Sequence, residues 1–178
     1  MSRWPLITNQ LNHERVALTS SAPVRSALRD VCDWAAATKL ASGQRLIDQE
    51  WVQLNLARVH AKAEFLKLVN WRIAAEADAA AGAEADAAAG AGSGRGLGPA
   101  TASATKVFGT EFATEAYRLL MEVLGANAHV REGSAGAVLS GRIERMHRAA
   151  LILTFGGGTN EVQRDIIAAA GLGLPIRR

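Results

Sequence analysis

The most informative stretch for the fold of this chain lies near its end: Phe155-Gly156-Gly157-Gly158-Thr159-Asn160-Glu161-Val162-Gln163-Arg164. Three successive glycines have no Cβ, so the backbone there can turn sharply or lie against a flat ligand. Thr159 is a preferred N-cap residue, and a carboxylate at Glu161 suits the positive end of a helix. The stretch therefore predicts a loop followed by a helix, and the loop is either a flexible connector or a ligand-binding surface.

Upstream of this loop, apolar residues recur every three or four positions in four segments. This period places them on one face of a helix. The four faces carry Val24, Leu28, Val31 and Ala35; Val52, Leu56, Val59, Ala63, Leu66 and Asn70; Val107 or Phe108, Phe112, Ala116, Leu119 and Val123; and Ile143, Met146, Ala150 and Leu153. Four such helices with short connections predict an all-α, up-and-down four-helix bundle, with a short extra C-terminal helix starting at Thr159.

The boundaries of these elements follow from local signals, and the whole chain, 1–178, is predicted to form a single helical domain. Residues 1–11 are expected to be an extended lead-in, with Asn12 capping a first helix that bends at Pro23 and ends at Ser42-Gly43. A second helix opens at Asp48, and its polar side chains are predicted to form a solvated face: Gln53, Arg58, Lys62 and Lys67.

One segment breaks this helical pattern. An eight-residue repeat runs from 75 to 82 and recurs identically from 83 to 90, followed by Gly- and Ser-rich sequence. The repeat offers no large apolar side chain for burial. Residues 75–100 are therefore predicted to be a helix end that frays into a mobile loop.

Composition narrows the function classes. The net charge of +3 is small and evenly spread, which argues against nucleic-acid binding. Cys32 is the only cysteine, so no internal disulfide is possible and a reducing compartment is expected. No stretch is long and apolar enough to span a membrane, which favours the cytoplasm. His60 and His147 have no partners at metal-ligand spacing, so no metal site is predicted.

Two segments at opposite ends of the chain resemble one known family. Gly156 to Arg164, followed by Gly171-Leu172-Gly173-Leu174-Pro175, is similar to the C-terminal signature of the acyl-CoA dehydrogenases. Leu11-Asn12-His13-Glu14-Arg15-Val16-Ala17-Leu18 resembles the start of the helical C-terminal domain in the same family. The resemblance covers almost the whole chain. It is limited to the family's C-terminal domain and does not extend to the N-terminal helical domain or the middle β-domain.

The resemblance implies a chemistry, the FAD-dependent α,β-dehydrogenation of an acyl-CoA thioester. A carboxylate removes the α-proton while the β-hydrogen leaves as hydride to the flavin, so the base needs a dry pocket beside the substrate. Many relatives carry a Glu two residues before the signature threonine, where this chain has Gly157. A minority place the base in a Glu-Arg pair at the start of the domain, which matches Glu14 and Arg15 here. Glu14 is either that base or a carboxylate that complements a helix dipole.

The resemblance assigns further residues by position. The implied substrate-binding residues are Arg15, Gly157 and Gly158, and the implied FAD-binding residues are Thr159, Asn160, Glu161, Lys39, Glu122 and Gly125. Two of these depart from the family pattern, because Lys39 replaces an arginine and Glu122 replaces a glutamine. An arginine series at Arg142, Arg145 and Arg148 is either a basic stripe for CoA phosphates or a solvated face.

The missing domains imply partners. An acyl-CoA substrate, an electron-transfer acceptor and a homo- or hetero-oligomer with another acyl-CoA dehydrogenase chain are expected. Two alternatives stay open at this point. The chain is a non-catalytic assembly partner of a complete dehydrogenase, or it is an inactive fragment.

Overall fold

A computed structural model describes residues 10–11, 14–88 and 98–175, and of residues 80–88 it describes the backbone only. Within these ranges the chain is helical, apart from turns and one isolated bridge between Lys39 and Arg45. Residues 10–11 and 14–17 are helical. They are followed by α1 (Ala22–Ala37), α2 (Glu50–Ala88), α3 (Pro99–Leu124), α4 (Arg142–Ala150) and α5 (Asn160–Ile166). Four longer helices followed by a short one confirm the predicted all-α fold.

Short helical turns connect or extend these helices. Three 3₁₀ turns, Leu46–Asp48, Gly125–His129 and Val138–Gly141, lie in the connections, and a fourth, Leu151–Thr154, extends α4 toward the glycine loop. After α5 the chain continues as a π-helical turn over Ile167–Gly171. The predicted end of the C-terminal helix at Gly171 is therefore close to the observed one.

Most residues of the predicted apolar faces are buried, whereas Met146 and Leu153 are only half-buried. The buried side chains include Val24, Leu28, Val31 and Ala35 of α1, Val52, Leu56, Val59, Ala63 and Leu66 of α2, Phe112, Ala116, Leu119 and Val123 of α3, and Ile143 and Ala150 of α4. The helices α2 and α3 run antiparallel. Asn55 donates to Glu122 and Lys62 pairs with Glu115. Residue numbers therefore rise along α2 in the direction in which they fall along α3.

The chain divides into two compact units, to which both α2 and α3 contribute. One contains Met1–Ser20, Leu66–Gly109 and Thr154–Arg178, and the other contains Ser21–Phe65 and Thr110–Leu153. The first unit therefore holds the glycine loop and α5. The second holds α1 and α4, with the first part of α2 and the last part of α3.

The predicted bend at Pro23 is wrong. Instead of continuing from an earlier helix, α1 begins at Ala22 and carries Pro23 in its first turn. A proline has no N–H, and the first turn of a helix has no intrahelical acceptor for one, so proline fits there without losing a hydrogen bond. The helix ends at Ala37, five residues before the predicted stop at Ser42-Gly43.

Of the stretch 75–100, predicted to be a helix end that frays into a mobile loop, residues 75–88 continue α2 as a helix. Alanine has the highest helix propensity of all residues, so the octapeptide repeat extends a helix even though its sequence contains no large apolar side chain. At the other end α3 begins at Pro99. Residues 89–97 lie outside the described residues, as do 1–9 of the predicted lead-in and the predicted cap Asn12, whereas residues 10 and 11 are helical and not extended.

The predicted solvated face of α2 is incomplete. Gln53 and Arg58 are exposed and Lys62 and Lys67 are half-buried, but large apolar side chains share the surface with them. The exposed apolar residues of this helix are Trp51, Leu54, Phe65, Leu68 and Trp71.

Candidate functional site

The structure brings the two ends of the chain together at the glycine loop. The Nε of Arg15 donates a hydrogen bond of 3.4 Å to the carbonyl oxygen of Gly157. A Cβ added at Gly157 would lie 3.4 Å from the Cγ of Arg15 and 3.5 Å from the Cδ1 of Leu18. The exposed side chain of Glu14 precedes Arg15 in the same helical turn. Three of the residues predicted from opposite ends of the sequence, Arg15, Gly157 and its neighbour Gly158, therefore meet in one unit.

The loop needs glycine for a steric reason. Gly157 and Gly158 have φ angles of +67° and +96°, in the left-handed region that side chains with a Cβ rarely adopt. A Cβ on Gly158 would stand 2.7 Å from the Nε2 of Gln163, closer than a van der Waals contact allows. The backbone at Gly158 is exposed, so it is open to a flat ligand.

The start of α5 is capped as predicted. Thr159 has an extended conformation, and its hydroxyl oxygen accepts a hydrogen bond of 3.4 Å from the backbone N–H of Val162. The pKa of the exposed Glu161 carboxyl is lowered, because its own backbone N–H and the Thr159 hydroxyl hydrogen-bond to it, with smaller contributions from Arg164 and Lys106. Glu161 therefore stays ionised and is a poor proton acceptor.

A lysine that the sequence analysis did not single out holds the loop from inside. The side chain of Lys106 on α3 is fully buried. Its Nζ donates to the carbonyl oxygens of Thr154 at 2.9 Å and Gly158 at 2.7 Å, and to the Oδ1 of Asn160 at 2.6 Å. These three hydrogen bonds tie the beginning and the end of the loop to a single ammonium group.

A second buried contact supports the same loop. The side chain of Gln163 is fully buried, and its Nε2 donates 3.1 Å to the carbonyl oxygen of Gly157. Its Oε1 accepts a hydrogen bond of 2.8 Å from the hydroxyl of Ser103 on α3. The loop carbonyls are thus drawn toward buried donors on α3 and α5.

The signal for Lys106 lay in its position in the helical period. It falls four residues after Ala102 and three before Gly109, both of which are buried. A lysine at a core position requires partners for its charge, and this requirement points to a polar cluster. Asn160 belongs to this cluster, and its side chain is buried. A cofactor contact at this position would therefore involve the backbone.

The remaining predicted cofactor residues belong to the other unit. Lys39 is exposed in the turn after α1. The carboxylate of Glu122 accepts a hydrogen bond of 3.1 Å from the Nδ2 of Asn55 and forms an ion pair with Arg118. Gly125, with φ +63°, follows the end of α3. A cavity of about 230 Å³ is lined by Arg118, Met121, Glu122, Gly125, His129 and His147.

Two other groups of residues do not form a site with the predicted ones. A cavity of about 350 Å³ next to α1 is lined by Ala22, Arg25, Leu28, Arg29, His60 and Glu64. None of these residues was predicted to belong to a functional site. The arginine series of α4 has acidic partners, since Arg142 pairs with Asp30, Arg145 with Glu132 and Arg148 with Glu144. These pairs favour the solvated face over the basic stripe.

The part of the chain that the structure describes contains neither a group of metal ligands nor a helix that could span a membrane. No three His, Cys, Asp or Glu side chains come together as a metal site would need. No described helix combines the length and the apolar character that crossing a membrane requires.

Comparison with known proteins gives consistent matches. The family described as acyl-CoA dehydrogenase, C-terminal domain, matches residues 4–172. Acyl-CoA dehydrogenase FadE26 of Mycobacterium tuberculosis is 64% identical over 172 residues, which are 97% of this chain and 40% of the relative. Acyl-CoA dehydrogenase FadE29 of the same organism is 34% identical over 172 residues, which are again 97% of this chain and 40% of the relative.

Solved structures give the same result. A chain of the ChsE4-ChsE5 complex from Mycobacterium tuberculosis is 62% identical with a TM-score of 0.83, and the match covers 99% of this chain and 41% of that one. A chain of the Tcur3481-Tcur3483 steroid ACAD is 39% identical with a TM-score of 0.78, over 98% of this chain and 40% of that one. The chain thus spans about two fifths of the length of these relatives.

Proposed function

Since the chain belongs to the acyl-CoA dehydrogenase family, as its C-terminal domain, we propose that it contributes to an FAD-dependent enzyme that oxidises an acyl-CoA thioester between its α- and β-carbons. One observation carries the proposal. The hydrogen bond from Arg15 to the carbonyl of Gly157 joins the Glu-Arg pair to the glycine loop, so a candidate base and a surface for thioester and flavin belong to the same place.

In this proposal Glu14 removes the α-proton. The position that carries the acid in many relatives is Gly157, which has no side chain, and Glu161 is held in its ionised form by hydrogen bonds. Glu14 is exposed in the isolated chain, and a carboxylate needs a site without water to act on a carbon acid. We therefore expect the substrate and a further protein segment to cover Glu14 in the working enzyme.

The loop residues have positioning roles in the proposal. Arg15 fixes the carbonyl of Gly157, and the backbone at Gly158 lies along the thioester. A bound flavin would supply the acceptor for the β-hydride. The half-buried Thr159 and the exposed Glu161 at the start of α5 fit its binding. The exposed Lys39, whose charge suits a phosphate, is proposed to contact the cofactor of a neighbouring subunit. Glu122 and Gly125 are proposed to contact a cofactor across a subunit boundary.

The proposed enzyme needs protein segments beyond those described here, because the chain spans about two fifths of the length of its relatives. Protein segments outside this chain would supply the rest of the flavin site and one wall of the acyl pocket. The ChsE4-ChsE5 relative is a complex of two different chains, and this precedent supports a hetero-oligomer. A separate electron acceptor would reoxidise the flavin.

The substrate class is proposed from one relative. The Tcur3481-Tcur3483 protein is described as a steroid ACAD, and its chain is 39% identical to this one. We therefore expect a bulky acyl-CoA, such as a CoA thioester on a steroid side chain, to be oxidised faster than a straight-chain acyl-CoA of equal side-chain length. Equal rates on both thioesters would contradict this substrate class.

The test is the Glu14→Gln variant in the complex of this chain with its dehydrogenase partner. Turnover should fall by about 10²- to 10⁴-fold, the usual contribution of a general base, while flavin absorbance and substrate binding stay close to those of the unmodified complex. The control is Glu132→Gln, which removes an exposed carboxylate that pairs with Arg145.

Two outcomes would contradict the proposal. Full turnover of the Glu14→Gln complex would remove Glu14 from the chemistry. Normal turnover combined with a requirement for this chain in assembly would favour the non-catalytic partner instead.

A further inference from the structure

The cavity of about 350 Å³ next to α1 has a charged lining that the proposed chemistry does not use. Four of its lining residues carry ionisable side chains, Arg25 and Arg29 on α1 and His60 and Glu64 on α2. All of them belong to one compact unit, which contains α1 and the part of α2 that ends at Phe65. The volume lies in the range of pockets that hold small molecules.

The charged residues form two facing pairs along this cavity. The Nε of Arg25 lies 3.1 Å from the Oε1 of Glu64. This contact joins the beginning of α1 to a late position in the same unit of α2, and a short segment joins the end of α1 to the start of α2, so the two helices run antiparallel. One turn further along α1 and one turn back along α2, Arg29 is level with His60. The two pairs are about 6 Å apart along the helices.

The two pairs differ in charge. In the first pair, the guanidinium of Arg25 and the carboxylate of Glu64 neutralise each other. The second pair, Arg29 and His60, contains a permanent cation and an imidazole but no carboxylate. No ion pair among the described residues involves Arg29, so its guanidinium keeps its N–H donors for another group. The excess positive charge of the lining is therefore concentrated at the second pair.

We propose that this cavity binds a small phosphate monoester, with the phosphate group held between Arg29 and His60. A phosphate monoester carries a charge of about −1.5 to −2 at neutral pH and has three acceptor oxygens, which suit the planar fork of a guanidinium together with an imidazole N–H. A carboxylate has a single charge and two oxygens, so Arg29 alone would satisfy it. The organic part of the ester would lie against Leu28, the buried apolar residue of the lining.

Glu64 limits the number of phosphate groups that the cavity accepts. Its carboxylate neutralises Arg25 and would repel a second phosphate placed one helical turn from the first. The site is therefore expected to prefer a monoester to a diphosphate.

The phosphate site goes beyond the proposed chemistry and does not depend on it, since it is read out by binding to the full chain and not by turnover. The probes for isothermal titration calorimetry are glycerol 3-phosphate, glycerol and glycerate. Glycerol 3-phosphate should bind at least tenfold more tightly than glycerate, which offers a carboxylate, and glycerol should not bind. Absence of binding by glycerol 3-phosphate, or equal affinity for glycerate, would overturn the proposal.

The Arg29→Gln variant tests the phosphate contact. It should weaken the binding of glycerol 3-phosphate at least tenfold, because the phosphate loses its charged fork. Arg29 is exposed, so the helical content measured by circular dichroism should not change. The matched control is Arg58→Gln, which removes another exposed arginine of the same unit that does not line the cavity, and it should weaken binding by about twofold or less. Equal losses in the two variants would mean that the ligand responds only to overall charge, and would overturn the site.

The Glu64→Gln variant tests the arrangement of the two pairs. Removal of the carboxylate releases the charge of Arg25 one turn from the phosphate, so the affinity for pyrophosphate should rise at least fivefold relative to that for glycerol 3-phosphate. Glu132→Gln is the control, because Glu132 is an exposed carboxylate of the same unit outside the cavity, and it should leave this ratio unchanged. An unchanged ratio in Glu64→Gln would contradict the placement of the phosphate beside the first pair.

Discussion

Lys106 and Gly158 are joined by a hydrogen bond of 2.7 Å from a fully buried ammonium group to a backbone carbonyl oxygen. The same ammonium group also reaches Thr154 and Asn160, so the glycine loop is fixed at several points by one side chain of α3. A loop that could have been a flexible connector is therefore held in one conformation.

The Lys106→Met variant should lower the free energy of unfolding by about 3 kcal/mol. Methionine fills a similar volume, but three acceptors, one of them the buried Asn160 Oδ1, lose a charged donor, and each such loss is costly. Urea unfolding followed by circular dichroism measures the change. Lys62→Met is the control, because Lys62 pairs with Glu115 at the surface and its loss should cost about 1 kcal/mol or less. Equal losses in the two variants would show that the buried contacts of Lys106 carry no special weight.

The Gly158→Ala variant should destabilise the fold by about 2 kcal/mol, more than an ordinary glycine replacement. The new Cβ would have to displace the Nε2 of Gln163, which is bound to the carbonyl of Gly157. Gly173→Ala is the control, since Gly173 has a φ of +66° and nothing within 4 Å of an added Cβ. That variant has only the backbone cost, about 1 kcal/mol. Thermal or urea unfolding of both variants decides whether the contact adds to the backbone effect.

Tyr117 should make stability depend on pH in alkaline solution. Burial raises the pKa of its phenol to about 12, with Arg142 acting in the opposite direction. The neutral phenol is thus favoured in the folded state. Its contribution is complete below the ordinary pKa of 10 and is lost as the pH rises toward about 12.

The measurement is direct because Tyr117 is the only tyrosine in the chain. Its ultraviolet titration in the folded protein should have a midpoint well above that of the unfolded chain in urea. The Tyr117→Phe variant should lose the corresponding decrease in unfolding free energy between pH 10 and 12. Identical midpoints in folded and unfolded protein would contradict the burial effect.

Much of the fold could be predicted because apolar residues recur along the chain at regular helical spacing. Val52, Leu56 and Val59 recur at helical spacing, and all three are buried in α2. Sequence signals with two physical readings were less informative. Pro23 fits a bend as well as a first turn, and an alanine-rich repeat fits a helix as well as a loop. In the structure, Pro23 lies in the first turn of α1 and the repeat is helical through residue 88, and both arrangements keep the helical hydrogen bonds intact.

The candidate site shows a similar division. The glycines and the cap at Thr159 could be predicted because turns and helix starts depend on local chemistry. The core position of Lys106 is marked by the helical period, but its partners could not be predicted, since they lie some 50 positions further along the chain and no local pattern marks them. Its role depends on a tertiary contact, which a one-dimensional period does not describe.

The buried donors also determine what the outside of the loop offers. In a trans peptide unit the C=O and N–H groups point in opposite directions, and no cis bond occurs among the described residues. Because the carbonyls of Gly157 and Gly158 accept hydrogen bonds from Gln163 and Lys106, the amide N–H groups of Gly158 and Thr159 point away from those donors. The side chains of Gln163 and Lys106 therefore determine which way these two peptide units face, and with them the direction of the loop's N–H donors.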